Sequence, residues 1–143
     1  MRKRKPAQQR SLARELFSEP VEVDSFCREV REFLLERGLS AEIFPVELLL
    51  RESLNNAIFH GNRGDCRKKI QVEINIGRKW IKLRVSDEGL GFSYRKARKT
   101  VPDEDSTCAR GLAIFSLYAH RVSFNAKGNQ VSLWRTRTGD SKP

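Results

Sequence analysis

Glu52-Ser-Leu-Asn-Asn56-Ala-Ile-Phe-His60-Gly-Asn62 is the stretch whose reading decides the fold. It lies in a segment with helical periodicity that starts near Phe44, with Pro45 at a tolerated first-turn position, and ends near Gly61. At about 100° per residue, Val46, Leu50, Leu54, Ala57 and Ile58 share one side, which marks a buried face. Glu52, Asn56 and His60 fall at i, i+4 and i+8 and line up on the other side, flanked by Leu48, Leu49 and Phe59. A carboxylate can take a proton from a hydroxyl or a water. A carboxamide oxygen is a hard ligand suited to Mg²⁺. Taken alone, the stripe reads more readily as an ordinary solvated helix face.

Two later segments change that weighing. Asp87-Glu-Gly89-Leu-Gly91-Phe92 follows an apolar strand pattern. A carboxylate at a strand end can accept a hydrogen bond from an exocyclic amine such as that of adenine. Gly89 and Gly91 let the backbone turn sharply and approach a ligand closely. In Ala109-Arg-Gly111-Leu-Ala-Ile-Phe115, the first three residues, Ala109-Arg110-Gly111, then precede an expected third helix. A helix N-terminus is a ready anion site, and Arg110 would add charge. Between the two lies a polar stretch, 93–108, basic early and acidic late, with the length and composition of a lid. Each piece alone also fits a plain turn, helix start or surface loop. In this order, within 143 residues, they point to a Mg-ATP pocket built on a helix and a glycine-rich loop.

The rest of the chain is read around that pocket. Asp24 is expected to cap a first helix running to about Arg37, with Phe26, Val30, Phe33 and Leu34 on its apolar face and Gly38 as its stop. A short strand is expected within Glu15–Val23. Ile70-Gln-Val-Glu-Ile-Asn-Ile76 alternates cleanly and reads as a half-buried strand. Gly77-Arg-Lys79 turns the chain into a second strand marked by Ile81, Leu83 and Val85. The third helix is expected over 110–119, then strands around Arg121–Asn125 and Gln130–Thr136. The order βααββαββ, with mostly hairpin-joined strands, predicts an α/β fold: a two-layer α/β sandwich.

Composition sets outer limits. A hydrophobic content of 38% is enough for a core and argues against global disorder. The formal charge is +10, of which residues 1–14 hold six cations (Arg2, Lys3, Arg4, Lys5, Arg10 and Arg14) and no acid. These residues read as a basic flexible arm, leaving 15–137 as the folded domain and 138–143 as a polar tail. The arm has no interleaved aromatic residues to stack bases, which speaks against nucleic acid as the main partner. The three cysteines, Cys27, Cys66 and Cys108, form no CxxC pair, so free thiols and a cytoplasmic location are expected. No apolar run approaches the ~18 residues of a membrane span.

The segments quoted above resemble the GHKL-type ATPases of the Bergerat ATP-binding fold, most closely the bacterial anti-sigma factor serine-protein kinases. The similarity covers roughly residues 17–136. It implies a mixed, mostly antiparallel sheet with helices on one face. It further implies ATP and Mg²⁺ as cofactors, Glu52 as general base, Asn56 as the magnesium ligand and His60 within the same nucleotide-binding motif. Asp87 would be the adenine-contacting carboxylate, Gly89 and Gly91 the loop after it, and Arg110 with Gly111 the phosphate-side glycine box. Ala109 stands where that box usually opens with glycine. His120 stands where many relatives carry an acid. Asn129 or Gln130 stands where relatives often place a threonine that contacts adenine. Histidine-kinase catalytic domains generally lack an acid four residues before the asparagine, so Glu52 points to transfer to a hydroxyl, or to hydrolysis. The partners implied are a sigma factor and an antagonist protein that offers a serine, with a homodimer as a further family expectation. Two alternatives remain: a non-catalytic nucleotide-binding docking module of the same fold, and nucleic-acid binding through the basic arm.

Overall fold

A computed structural model of the chain describes residues 9–91 and 107–138, with side chains in the second stretch from residue 111 onward. The expected lid, 93–108, falls almost wholly outside the described residues, as do most of the basic arm and the polar tail.

The strands are β1 (Ser11–Phe17), β2 (Lys69–Ile76), β3 (Trp80–Ser86), β4 (Arg121–Phe124) and β5 (Gln130–Thr136). They form one sheet in the order β1-β2-β3-β5-β4. Among the described residues every pairing is antiparallel, so the sheet there is uniform and not mixed as expected. Each connection between sheet neighbours is either a hairpin or a return through helices that reverses direction, which leaves no parallel pair. The helices are α1 (Pro20–Glu36), α2 (Ile43–Asn56) and α3 (Thr107–Tyr118).

Alternation decides which face of the sheet is covered. Leu12 stands opposite Ile74, Ile74 opposite Leu83, and Leu83 opposite Leu133. All four are buried. Phe26, Val30, Phe33 and Leu34 of α1 and Val46, Leu50 and Leu54 of α2 complete the core. Burying one such side chain contributes about 1.5–3 kcal/mol. The opposite face is polar: Glu73 pairs with Arg84, and Lys82 and Arg121 sit 4.9 and 4.7 Å from the Trp134 ring. The two-layer α/β sandwich is therefore present. Among the described residues no helix is long and apolar enough to cross a membrane.

Three element limits differ from expectation. β1 begins at Ser11, four residues inside the segment expected to be a free arm, because its backbone pairs with β2 from Ser11↔Asn75 onward. It ends at Phe17, within the expected Glu15–Val23 range. α1 starts at Pro20, not after Asp24. Proline's fixed φ suits the first helical turn, and Val23 adds a buried residue one turn earlier. Asp24 lies inside the helix and accepts a 2.7 Å hydrogen bond from Arg51 of α2. α3 starts at Thr107, so Gly111 lies within the helix and not ahead of it.

Candidate functional site

Helix α2 carries the stripe to the edge of a cleft. Its buried side matches the pattern: Val46, Leu50 and Leu54 are inaccessible, and Ala57 and Ile58 nearly so. Glu52, Asn55 and Asn56 are half-buried. After Asn56 the α-helical ladder widens into a π turn, Ala57–Gly61. A π turn advances less per residue than an α-helix, so His60 swings out of line with Glu52 and Asn56 and is exposed to solvent. His60 does not line the cleft.

The cleft is walled by Asn56 and Ala57 on one side and Asn129, Gln130 and Val131 on the other, with Val85 and Phe115 between them and Asp87 at the end of β3. Its lining mixes the apolar Ala57, Val85, Phe115 and Val131 with the polar Ser53, Asn56, Asp87, Asn129 and Gln130, and its volume in this structure, about 10 Å³, is room for about one water. Asn129 builds the carboxylate's support. Its carbonyl accepts the Asp87 N–H at 2.9 Å, and its Nδ2 donates to the Asp87 carbonyl at 3.0 Å. Gln130 accepts the Ser86 hydroxyl at 2.9 Å. Burial pushes the Asp87 carboxyl above its ordinary value. The Gly89 N–H, donating to Oδ1 at 2.8 Å, and the charges of Lys127 and Lys68 oppose that rise only in part.

The three motifs meet through glycines. A Cβ at Gly61 would overlap the Asp87 carboxyl group, lying 2.6 Å from Oδ1 and closer still to Cγ and Oδ2. A Cβ at Gly89 would overlap the Gly61 carbonyl, so the loop after Asp87 lies directly on the π turn. Gly91 has φ +94 and abuts the Lys127 backbone. A Cβ at Gly111 would stand 2.9 Å from Asn56 Nδ2 and 3.6 Å from Glu52 Oε2. Gly111 thus serves by letting α3 cross α2 at the Glu52–Asn56 stripe. The side chain of Arg110 lies outside the described residues.

The spacing pattern underrated Asn62, which is fully buried. Its Oδ1 accepts the Glu88 N–H at 2.9 Å, its Nδ2 donates to the Lys69 carbonyl at 3.2 Å, and its own N–H donates to the Ala57 carbonyl at 2.8 Å. One carboxamide therefore ties the π turn to β2 and to the loop after Asp87. Its place at the end of the helix motif was the only signal in the sequence.

Asn56 Oδ1 is buried and has no hydrogen-bond partner among the described residues. An unpartnered buried acceptor costs about 1–3 kcal/mol. That cost is relieved by a hard cation, so the residue fits a Mg²⁺ ligand. Among the described residues no cluster of three or more His, Cys, Asp or Glu could hold a metal. A single carboxamide is enough where Mg²⁺ keeps its waters and binds phosphates. Of the thiols, Cys27 is buried and pushed up to about 11 by that burial, Cys66 is exposed, and both are free.

Comparison with known proteins agrees with this geometry. Residues 16–135 match the family model of the histidine kinase-like ATPase domain. The curated relatives include the anti-sigma F factors of Bacillus thuringiensis (strain Al Hakam), Bacillus mycoides (strain KBAB4) and Bacillus cereus (strain AH187). Each is 29% identical over 59 residues, which is 41% of this chain and 40% of the relative. The chain thus spans well under half the length of the curated relatives it matches. The family match covers most of the chain and takes in both α2 and the Asp87 loop: the chain belongs to the histidine kinase-like ATPase domain family.

Proposed function

We propose that this chain is an ATP-dependent anti-sigma factor and serine-protein kinase, one that phosphorylates an antagonist protein on serine and holds a sigma factor in its place. The observation that carries the reading is the buried Asn56 Oδ1, without a partner among the described residues, in a cleft that Asp87 also lines, with Glu52 one turn earlier on α2. The name of the anti-sigma F factor relatives supports a sigma factor as one partner.

Each residue then has a task. Asp87 accepts a hydrogen bond from the adenine amine, with Asn129 fixing its backbone. Val85, Val131, Ala57 and Phe115 flank the ring. Asn56 would hold Mg²⁺, which when bound would supply positive charge for the phosphates. Glu52 takes the proton of the serine hydroxyl as that oxygen bonds to the γ-phosphorus, and ADP leaves. Phosphorylation adds about −1.5 to −2 charges to the antagonist, which repels it from the nucleotide phosphates and Glu52 and releases it.

Two measurements test the reading. Calorimetry should show Mg-ATP bound in preference to Mg-GTP, since guanine presents a carbonyl where adenine presents the amine, and Asp87→Asn should weaken ATP binding. Incubation with a serine-bearing antagonist and ATP should yield phosphoserine. ATP binding without any transfer would replace the kinase by a nucleotide-dependent docking module. Equal affinity for the two nucleotides would remove the role given to Asp87.

A further inference from the structure

The face of the sheet turned away from the helices carries both tryptophans of the chain, Trp80 and Trp134. Ile81, Leu83 and Val85 of β3 point into the core, so alternation turns Trp80, Lys82 and Arg84 outward. Leu133 of β5 is buried in the same way, which turns Trp134 outward. The register sets Lys82 opposite Trp134 on one side and Arg121 of β4 opposite it on the other. Trp80 stands opposite Thr136, so it is a diagonal neighbour of Trp134 on the same face. Its side chain is open to water, with the residue 46% exposed.

Trp134 positions two cations. Lys82 Nζ lies 4.9 Å from its ring and the Arg121 guanidinium 4.7 Å. The ring quadrupole fixes where a cation sits, and the cation keeps its charge and its N–H donors. The acids of this face lie toward its other half, where Glu15 meets Lys69 and Glu73 meets Arg84. Among the described residues, the outward positions of β3, β5 and β4 hold no acid. The exposed Arg78 and Lys79 lead directly into Trp80. The described chain enters the sheet at this same end, where the Arg10 carbonyl accepts the Ile76 N–H at 2.7 Å. In sequence, Arg2, Lys3, Arg4 and Lys5 precede that point.

We infer that this open sheet face binds single-stranded nucleic acid, with a base stacked on Trp80 and phosphates held by Lys82 and Arg121. Exposed aromatic rings set among cations match the two parts of a single strand, its bases and its phosphates. In a duplex the bases are stacked on one another, so a tryptophan on a flat face finds no base to cover. An acidic peptide would use the cations and leave Trp80 without a task. A second copy of the chain would set a basic face against itself. The arm lacks aromatic residues to stack bases, and folding supplies them on the sheet that the arm runs into. The inference is independent of the kinase reading: the ATP cleft is on the core side of the sheet, where Val85 and Val131 point.

The test uses the full chain and two labelled probes of equal length, oligouridylate and oligodeoxythymidylate, with binding read by fluorescence anisotropy across a salt series. Saturable binding is expected, and the tighter probe identifies RNA or DNA as the source. Trp80→Ala should weaken binding about fivefold or more and leave Mg-ATP affinity unchanged. Lys82→Gln with Arg121→Gln should lower the slope of log affinity against log salt by about 1.4, the loss of two phosphate contacts. Lys82→Arg with Arg121→Lys should restore that slope, which a merely structural role would not require. Unaltered binding in a folded Trp80→Ala chain would overturn the inference and leave the charged arm as the binding element. Absence of binding at low salt, or equal affinity for a duplex, would overturn it too. A polyglutamate peptide bound with the same Lys82 and Arg121 dependence, where neither strand binds, would make the face a protein-docking site instead. Self-association in sedimentation that Trp80→Ala abolishes, again with neither strand bound, would make it an interface between copies.

Discussion

Gly61 lies so close to Asp87 that the carboxyl group occupies the space a side chain at position 61 would need. The end of the helix motif and the end of β3 are therefore fitted to each other. Gly61→Ala adds one methyl group in a helical turn whose backbone tolerates alanine, so its effect should fall on Asp87. Mg-ATP affinity measured by calorimetry should drop at least tenfold, or about 1.4 kcal/mol. Unchanged affinity would mean that the carboxyl position does not matter to nucleotide binding.

Glu52 and Asn56 should separate by phenotype although Gly111 packs against both. Glu52→Gln keeps the shape and removes the base. It should retain Mg-ATP binding and lose ~10²–10⁴-fold in phosphotransfer. Asn56→Ala removes the proposed metal ligand and should weaken nucleotide binding mainly in the presence of Mg²⁺. Full activity in Glu52→Gln would end the general-base assignment.

Asn62 is expected to act through position alone. Asn62→Ala leaves the Glu88 N–H and the Lys69 carbonyl without their partner, at a cost of about 2–3 kcal/mol in urea unfolding. Since Glu88 and Gly89 follow Asp87 directly, ATP affinity should fall with it, under conditions where circular dichroism shows the variant folded. A stability loss with no change in affinity would reduce Asn62 to a structural role.

Local pattern made much of this legible. The β2 alternation from Ile70 to Ile76 and the α2 stripe are periodic signals that need no tertiary information, and both agree with the burial seen. What the pattern missed depends on partners distant in sequence. β1 starts at Ser11 because Asn75 lies opposite, 64 residues on. Gly111 reads from the sequence as part of the segment ahead of the third helix, but it is the close-packed point where α3 crosses α2. The swing of His60 out of the stripe comes from a π turn, which 3.6-residue periodicity cannot anticipate. The tripartite bonding of Asn62 reaches Lys69 and Glu88 only after the sheet has formed.

The last prediction rests on Glu42, also unmarked by any motif. Its side chain is wholly removed from solvent in the short 3₁₀ turn before α2. Arg135 donates Nε to it at 2.7 Å, and both the N–H and the hydroxyl of Thr138 donate to its other oxygen. Arg135 also donates Nη1 to the Tyr118 carbonyl at 2.8 Å, so one ion pair joins the start of α2, the end of α3 and the end of β5. Burial pushes the Glu42 carboxyl up, but the hydroxyl and backbone donors of Thr138 and the charge of Arg135 outweigh it. The net result lies below the ordinary glutamate value. A carboxyl depressed by folding contributes stability that is fully present above its unfolded value, about 4.3, and is lost as pH falls through the lower folded value. Urea unfolding of the native chain should therefore show stability declining below about pH 4.3. Glu42→Gln leaves Arg135 without its countercharge and should cost roughly 3–5 kcal/mol at pH 7. It should also flatten the acid limb of the profile, because the titrating group is gone. Glu42→Gln combined with Arg135→Met removes the stranded charge and should recover part of the loss. A native acid limb that survives unchanged in Glu42→Gln would show that other carboxylates set the acid stability, and that this pair is not what fixes α2 and α3 around Glu52.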